Sequence, residues 1–410
     1  MNHYLLRKKL FALLFLLVIP SFSFWNFLIN RAVLMEEARI KFLQVSQGVY
    51  TAKQAVSGLE SSMTEKMSGR MNFIEGYSYF QTLLGKEEYN NFACIKDREG
   101  FLHYAAFFRE PDREVAAYTA RLRRLRDAAA EYGGKVLFTV VPSKYIPGET
   151  RLSPGLRPND PNPITDEALF YVNRYGVTTL DMRQFLPNST LNYEQTFFRT
   201  DHHWTIPAAF EGFRQLVETL NRAFDAGLDP DGFYRNPGNY TAVTYPGGML
   251  GSMGRKTGAN FAKPEDFTAL WPNFSGYFRR ESLEANGQRT FREGDIHETL
   301  MIPETLTGRR KSIYSDSWYS LYLNGLRSYE HIENLNHPQG PKVLFIRDSY
   351  YSPVIAFFAP LCGTIDAVWS LETEDALDIE TMVLENRYDY IIMEVYPYNI
   401  SADAFRFFRE

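Results

Sequence analysis

The feature that most restricts this chain is an apolar run near its amino terminus. Residues Leu10–Ile29 contain no charged side chain, and a helix of about 20 residues spans about 30 Å, the thickness of a bilayer core. Arg7–Lys9 precedes the run, and basic residues in that position favour an amino terminus on the cytoplasmic side. The sequence therefore predicts a membrane anchor over residues 1–30, with the rest of the chain exported. A cleaved signal peptide ending near Ser21–Ser23 is the alternative, and it would export the same residues.

A second helical pattern follows the anchor within residues 31–90, which we expect to form a helical stalk. Apolar side chains recur there at alternating spacings of three and four residues, the a and d positions of about three heptads. They are Phe42, Val45, Val49, Ala52, Val56, Leu59 and Met63. The pattern predicts a helix through residues 42–63 that either self-associates or packs against its own domain.

The composition of the chain is that of a folded protein. Hydrophobic residues make up 45% and charged residues 23% of the 410 residues, which is ordinary for globular domains. The net charge of −5 leaves no basic surface, so nucleic acid is not an expected partner. The two cysteines, Cys94 and Cys362, fit neither a disulfide framework nor a zinc motif, and could form one bridge or none.

Strand and helix patterns alternate in residues 91–398, which predicts an α/β domain with a mostly parallel sheet and helices on both faces. The predicted strands are a hairpin of 92–95 and 101–104, followed by 135–141, 177–181, 342–346, 365–369 and 388–395. The predicted helices are 113–132, one capped by Thr165, one from Pro207 to about Phe224, and 353–359. Residues 229–341 are rich in Gly, Pro, Asn and charge, which predicts a loop-rich insertion. Residues 399–410 are expected to form a carboxyl-terminal tail.

Two short segments contain the residues most suited to chemistry. Thr200–Thr205 precedes a predicted helix, and Ser349 lies between a buried strand and another helix. A serine at such a turn projects its hydroxyl from the carboxyl edge of the sheet, but it needs an adjacent base to act as a nucleophile. Histidine can be that base, and a carboxylate can orient it. Asp201, a neighbouring histidine and Ser349 therefore form a candidate catalytic triad.

The choice of histidine depends on the local backbone. On an extended segment, side chains at positions i and i+2 share a face, so Asp201 is predicted to meet His203 and not His202. A metal site built from Asp201, one of these histidines, His331 and His337 is the alternative. The sequence has no helical H-E-x-x-H, and adjacent histidines on an extended segment point apart. The triad is therefore preferred, and no metal or organic cofactor is expected.

The segment T-D-H-H-W-T, followed far downstream by a strand ending in D-S-Y, resembles the bacterial DHHW proteins. These are relatives of the alginate O-acetyltransferases of the AlgJ and AlgX type, in the SGNH-hydrolase superfamily. The family motif T-D-x-H-W-T falls on residues 200–205 and its G-D-S motif on residues 347–349, with further likeness at 135–144 and 251–255. The resemblance implies that Asp201, His203 and Ser349 are the triad.

Other positions near the motifs suggest roles beside the triad. The backbone N–H groups of Ser349 and Tyr350 are the natural candidates for an oxyanion hole, with Gly251 or the Asn324 amide as further candidates. Arg347 stands where the family usually has glycine. Its guanidinium could steer an anionic substrate, or it could mark a site that has lost catalysis.

The resemblance implies transfer of an acyl group, with acetyl favoured, to hydroxyls of an exported or cell-surface polysaccharide. The same chemistry with water as acceptor would make the protein an esterase. A glycan-binding or scaffolding protein without catalysis is the third alternative. The family often works beside a multispanning membrane-bound O-acyltransferase, which is therefore an expected partner.

Overall fold

The computed structural model describes residues 2–46, 51–105, 114–184, 190–284, 287–307, 313–314, 317–371 and 378–408. The chain divides into two compact units, Met1–Phe80 and Gln81–Glu410. The first unit contains α1 (Asn2–Ser46), α2 (Ala52–Glu65) and most of α3 (Arg70–Leu83). Helix α1 is long and apolar enough to cross a membrane by length and composition.

Helix α2 lies alongside α1 within the first unit. Lys66, just after α2, forms an ion pair with Glu37 of α1. The backbone N–H of Ser68 donates to Oδ1 of Asn26, 2.8 Å away. The chain therefore turns back along α1 after residue 51.

The single helix predicted over residues 42–63 is wrong, because a new helix begins within it. Thr51 is extended and caps α2, with its hydroxyl accepting from the N–H of Gln54 and the Gln54 side chain accepting from the N–H of Thr51. This capping box stops a helix from continuing through Thr51, although the heptad spacing carries on across it. Val49 of the predicted stripe lies outside the described residues, and self-association stays a prediction.

The second unit is built on an eight-stranded sheet with the order β5-β4-β13-β11-β12-β10-β8-β9. Its strands are β4 (Lys135–Val140), β5 (Thr178–Asp181), β8 (Tyr277–Leu283), β9 (Arg289–Asp295), β10 (Tyr329–Asn334), β11 (Lys342–Arg347), β12 (Thr364–Trp369) and β13 (Tyr390–Val395). Neighbours from β5 to β12 pair in parallel, and β10, β8 and β9 extend the sheet in antiparallel pairing. The predicted mostly parallel α/β sheet is confirmed.

Helices cover both faces of this sheet, because residues along its parallel strands alternate between two cores. One core joins Val343 and Phe345 of β11 to α8 (Ile206–Phe224) and α12 (Tyr351–Phe358). The other joins the alternate residues, such as Leu344, to three helices on the opposite face. These are α5 (Arg121–Ala130), α6 (Asn162–Arg174) and α13 (Ile379–Asn386).

The remaining elements are short or lie beside the main sheet. Strands β1 (Glu88–Tyr89), β2 (Cys94–Lys96) and β3 (Leu102–His103) form a small antiparallel sheet, and β6 (Tyr240–Met249) pairs with β7 (Glu265–Pro272). The short helices are α4 (Val115–Thr119), α7 (Tyr193–Thr196), α9 (Ser252–Thr257), α10 (Ile296–Thr299) and α11 (Glu304–Thr307). Cys94 and Cys362 are both buried and free.

Three predicted elements differ from the structure. The helix expected over 113–132 divides into α4 and α5, and the Thr119 hydroxyl donates to the carbonyl of Val115 at the division, a contact that often bends helices. Thr165 does not cap α6 but lies inside its first turn, where its hydroxyl donates to the Pro161 carbonyl at 2.7 Å. The segment 229–341, predicted to be rich in loops, contains five strands, β6 to β10.

Candidate active site

Ser349 lies in a rigid turn between β11 and α12, at the carboxyl end of a central parallel strand. The Asp348 carboxylate accepts hydrogen bonds from the N–H groups of Tyr350 and Tyr396, both at 2.9 Å, and from the Asn399 amide at 3.1 Å. The Asp348 N–H donates in turn to Glu394 of β13 at 2.9 Å. The turn is thus tied to the neighbouring strand and the loop after it, which holds the half-buried Ser349 side chain in place.

The histidine segment is a series of bends just before α8. An isolated bridge pairs Phe197 with Trp204 across the segment. Thr205 caps α8, its hydroxyl accepting from the N–H of Ala208 at 3.3 Å. The bends between these fixed ends bring the His203 side chain to Ser349.

Asp201, His203 and Ser349 form a continuous hydrogen-bonded series. Oδ1 of Asp201 lies 2.7 Å from Nδ1 of His203, and Nε2 of His203 lies 2.7 Å from Oγ of Ser349. The second carboxylate oxygen of Asp201 accepts from the N–H of Ser252 at 2.6 Å. Asp201 and His203 are buried. This is the order in which an orienting carboxylate, a general base and a serine nucleophile are arranged in serine hydrolases.

Both histidines approach Asp201, contrary to the expectation that His202 points away. Nδ1 of His202 lies 3.1 Å from Oδ1 of Asp201 and 2.9 Å from the Ser252 hydroxyl. The two imidazole centroids are 3.9 Å apart. The argument from strand alternation fails because the backbone here is bent and not extended. Only His203 has its second ring nitrogen against Ser349.

The surroundings of the site set its protonation. Burial lowers the pKa of the His203 imidazole, and His202 lowers it further, against the opposite influence of Asp201. Burial alone would raise the pKa of the Asp201 carboxyl, but the two histidines hold that pKa well below its usual range. At neutral pH, His203 is therefore neutral and Asp201 is ionised, the states required of a base and its orienting carboxylate.

Aromatic rings enclose the His203 imidazole. The Tyr319 ring stacks on it at a centroid distance of 4.1 Å, and the Tyr350 ring lies at 4.9 Å. The indole N–H of Trp204 donates to the Tyr319 hydroxyl at 3.0 Å. The Tyr350 hydroxyl donates to the carbonyl of His202. Tyr319 was not predicted as a site residue, since its position in sequence, far from either motif, gives no signal of this stacking.

Lys144 binds the backbone of the histidine segment. Its ammonium donates to the backbone carbonyls of Asp201 at 2.7 Å and Arg199 at 3.0 Å. Burial lowers the pKa of Lys144 to about 8, against the opposing charges of Glu265 and Asp201. Glu265 accepts from the N–H groups of Arg199 and Thr200, each at 2.7 Å. The backbone around Asp201 is thus held by one cation and one carboxylate.

The candidate oxyanion donors differ in availability. The N–H of Tyr350 already donates to Asp348, and the N–H of Gly251 donates to the Thr200 hydroxyl at 2.8 Å, so neither is free to bind an oxyanion. Among the described residues, the N–H of Ser349 has no protein acceptor. Asn324 is half-buried in a turn with a φ of 53°, and no hydrogen bond joins it to Ser349 in the described part of the chain.

Gly251 has a different function, which is close packing. A Cβ at this position would lie 2.4 Å from Cβ of Asp201 and 2.6 Å from the carbonyl oxygen of Thr200. Glycine is therefore the residue that allows α9 to approach and its Ser252 N–H to reach the Asp201 carboxylate.

Arg347 is fully buried and does not face a substrate. Its guanidinium pairs with the buried Glu330 of β10. Glu330 also accepts from Nε of Arg280 on β8 at 2.9 Å. The predicted steering of anionic substrates by Arg347 is incompatible with this burial. The side chain instead ties the end of β11 to the antiparallel part of the sheet.

The predicted metal set is not assembled. Within the described ranges, the ligand atoms of Asp201, His202 and His203 lie within 4.8 Å of one another, a grouping that could hold a cation. His331 belongs to a separate contact, with Nδ1 2.7 Å from Asp366. His337 is outside the grouping as well.

Comparisons with known proteins agree with this fold. Residues 96–272 match the family model described as the SGNH hydrolase-like domain of acetyltransferase AlgX. No curated protein matches the sequence. The structure of PatB1 from Bacillus cereus with a sulfonyl adduct has a TM-score of 0.59 and 16% identity, covering 77% of this chain and 97% of that one. A DHHW family protein from Eubacterium siraeum has a TM-score of 0.53 and 17% identity, covering 76% and 94%.

The second unit thus has the mixed α/β fold of these solved structures, and its residues 96–272 are similar to an SGNH hydrolase-like domain. More particularly, residues 96–272 carry the AlgX-type domain, and the predicted resemblance to the DHHW and AlgX proteins is confirmed.

Proposed function

We propose that the protein is an O-acyltransferase that acts outside the cytoplasm on hydroxyls of an exported or cell-surface polysaccharide, with acetyl as the transferred group. The observation that carries this proposal is the hydrogen-bonded series from Asp201 through His203 to Ser349. The acetyltransferase in the description of the matching family model supports the choice of reaction.

In the first half of the reaction, Oγ of Ser349 attacks the acyl carbon of the donor while Nε2 of His203 takes its proton. Asp201 holds the proton on Nδ1 and stabilises the imidazolium. The imidazolium then returns a proton to the departing group, and Ser349 carries the acyl ester. In this proposal the N–H of Ser349 stabilises the oxyanion.

In the second half, His203 removes a proton from a sugar hydroxyl, whose oxygen attacks the acyl carbon of the ester. The bond to Oγ of Ser349 breaks, and Oγ takes the proton back from the imidazolium. Water in place of the sugar gives ester hydrolysis, so the acceptor distinguishes the transferase from the esterase. The noncatalytic alternative depended on Arg347 as a mark of a lost site, and the pairing of Arg347 with Glu330 supplies a structural reason for that residue.

The position of the protein in the cell follows from α1 in this proposal. The apolar helix tethers the chain, and the residues beyond Arg31 lie outside the cytoplasm. A membrane-bound O-acyltransferase that passes acyl groups across the bilayer is the partner that suits this arrangement. Alkaline phosphatase fused after residue 70 should be active in cells, and a stable but inactive fusion would exclude export.

The nucleophile is tested by trapping it. A sulfonyl fluoride should add one adduct to the wild-type chain at Ser349, located by mass spectrometry, and none to Ser349→Ala. Turnover of an acyl ester should fall by a factor of about 10⁶ in that variant, as expected for loss of a triad nucleophile. Ser57→Ala is the matched control, since Ser57 is exposed on α2.

The outcome of the same assay decides between the alternatives. Acyl groups found on added polysaccharide indicate a transferase, whereas free acid alone indicates an esterase. Wild-type turnover by Ser349→Ala would overturn the assignment of the nucleophile. A wild-type chain that neither labels nor turns over any ester would favour the glycan-binding alternative.

A further inference from the structure

Helix α3 exposes a stripe of aromatic side chains to its surroundings and buries a serine. Phe73, Tyr77 and Phe80, spaced to form one stripe, expose 58%, 46% and 61% of their surface. Ser78, by contrast, is fully buried. An amphipathic helix on a soluble domain would bury the aromatic stripe and expose the serine.

The exposed side of α3 also lacks charge over residues 71–80. The exposed positions in this range are Asn72, Phe73, Gly76, Tyr77, Tyr79 and Phe80, and the acidic residue of the range, Glu75, is half-buried on the other side. Contiguous exposed aromatic surface of this kind marks an interaction site. Phenylalanine suits an apolar environment, and tyrosine suits the boundary between an apolar environment and water, where its hydroxyl can be hydrated.

Contacts within the first unit show where along α1 this aromatic surface lies. Lys66 pairs with Glu37, Ser68 bonds to Asn26, and the ring of Phe73 meets the ring of Phe22 edge-on at 5.8 Å. The three partners on α1 are successively closer to its apolar centre. The chain thus runs from the charged part of α1 into its charge-free run.

The last of these contacts lies well within the apolar run. Phe22 precedes Arg31, the first charge after the run, by nine residues, which is about 13 Å along a helix. None of the most apolar window of α1 is buried by the described chain. The aromatic stripe of α3 therefore begins beside a segment whose own surroundings are apolar.

We infer that α3 is a membrane-embedded segment, and that the exposed faces of Phe73, Tyr77 and Phe80 contact acyl chains and the interface of the outer lipid leaflet. This inference rests on the anchoring role of α1 in the proposed function. The lipid is the occupant because the stripe continues the lipid-facing surface of α1 through the Phe22–Phe73 contact. The protein would then contact the bilayer through α3 as well as through α1.

Photo-crosslinking in a bilayer tests the inference. The full chain, with benzoylphenylalanine at position 73 or 80, is reconstituted in phosphatidylcholine nanodiscs and irradiated, and lipid adducts are measured by mass spectrometry. Phe15 of α1, which is 57% exposed, is the positive control, and Phe291 of β9, which is 62% exposed, is the matched negative control. We expect adducts at positions 73 and 80 within about threefold of the yield at 15, and none at 291.

Each alternative outcome overturns the inference in a distinct way. Lipid adducts at position 15 without any at 73 and 80 would leave the anchor intact and remove α3 from the membrane. Crosslinks from 73 or 80 to a second copy of the chain would make the stripe a protein interface. No lipid adduct at position 15 would refute the anchor itself and, with it, the embedding of α3.

Discussion

In the proposed mechanism, the protonation of His203 decides the pH range in which Ser349 has a base. Because burial and His202 lower the pKa of His203, its neutral form is retained at neutral pH and is lost as the pH falls through that lowered value. We therefore expect kcat/KM for acyl-ester turnover to be constant near pH 7 and to decline only below the ordinary histidine pKa of about 6.5. A profile that already declines above pH 7 would contradict this.

Substitutions of two neighbours of His203 should shift the pH at which kcat/KM declines in opposite directions. His202 lowers the pKa of His203 and Asp201 raises it. His202→Gln should therefore shift the acid limb of kcat/KM to higher pH and retain most of the turnover. Asp201→Asn should shift the limb of its residual activity to lower pH and reduce kcat by about 10⁴-fold, because the tautomer is lost. Shifts in the same direction would show that the two side chains do not act on His203 as described.

Substitution of the glycine at position 251 should reduce activity, although this residue takes no part in the proposed chemistry. A methyl group in Gly251→Ala meets the Cβ of Asp201 at 2.4 Å, so either α9 or the carboxylate must move. A displacement of about 1 Å can cost about 10²-fold in rate, and we expect a loss of that order in kcat/KM with the thermal midpoint only modestly lowered. Gly76→Ala, where nothing lies within 4 Å, is the control.

The choice of His203 over His202 shows what residue patterns can and cannot predict about the site. The choice between two adjacent histidines was made on strand alternation, yet residues 199–203 are bends and both rings reach Asp201. The motif resemblance selected the histidine that contacts Ser349. Tyr319 and Lys144 could not be found in the same way, because stacking on a ring and donation to a backbone carbonyl depend on tertiary packing alone.

At the scale of elements, the predicted parallel strands are those with continuous apolar runs. Strand β11 is buried at five successive positions, which produces an unmistakable sequence signal. Strands β8 and β10 alternate between buried positions and positions that are half-buried or exposed, and some of their buried residues are charged. Arg280 and Glu330 looked like loop residues in the sequence because only the fold places the two charges against each other.

The ion pairs that join β8, β10 and β11 should contribute unequally to stability. Glu330 is the carboxylate shared by Arg280 and Arg347, so Glu330→Gln leaves two buried guanidinium groups without that counter-charge. Removing one partner of a buried pair costs about 3–5 kcal/mol, and we expect a loss of that order in the free energy of unfolding from urea titration. Arg347→Met leaves Glu330 paired with Arg280 and should cost less.

The Arg347→Met variant also tests whether Arg347 contacts substrate. A buried guanidinium cannot contact the polysaccharide acceptor. Arg347→Met should therefore change turnover with acidic and with neutral polysaccharides by the same factor. If Arg347→Met lowered the free energy of unfolding more than Glu330→Gln does, Glu330 would not be the shared counter-ion.

At the scale of the whole molecule, the candidate active site and the proposed membrane anchor belong to different compact units. All the side chains of the candidate site, from Lys144 to Glu394, lie within Gln81–Glu410, and so do both cores of the main sheet. The apolar run and the aromatic stripe of α3 lie within Met1–Phe80. The apolar run could be predicted from the sequence because a charge-free run is a local signal. The helix break at Thr51 was missed because the heptad spacing continues across the capping box.

A chain that begins at Gln81 should therefore fold and retain the chemistry without the anchor. It contains a sheet with two covered faces, and the hydrogen bonds that hold Asp201, His203 and Ser349 come from residues after position 81. We expect it to be recovered without detergent, with the far-ultraviolet circular dichroism of an α/β protein and a kcat/KM for a small soluble acyl ester within about twofold of the full chain. Sulfonyl labelling of Ser349 should be unchanged. A truncated chain that folds but has lost labelling and turnover would show that the first unit shapes the site, because the remaining residues would then be insufficient to hold the base against the nucleophile.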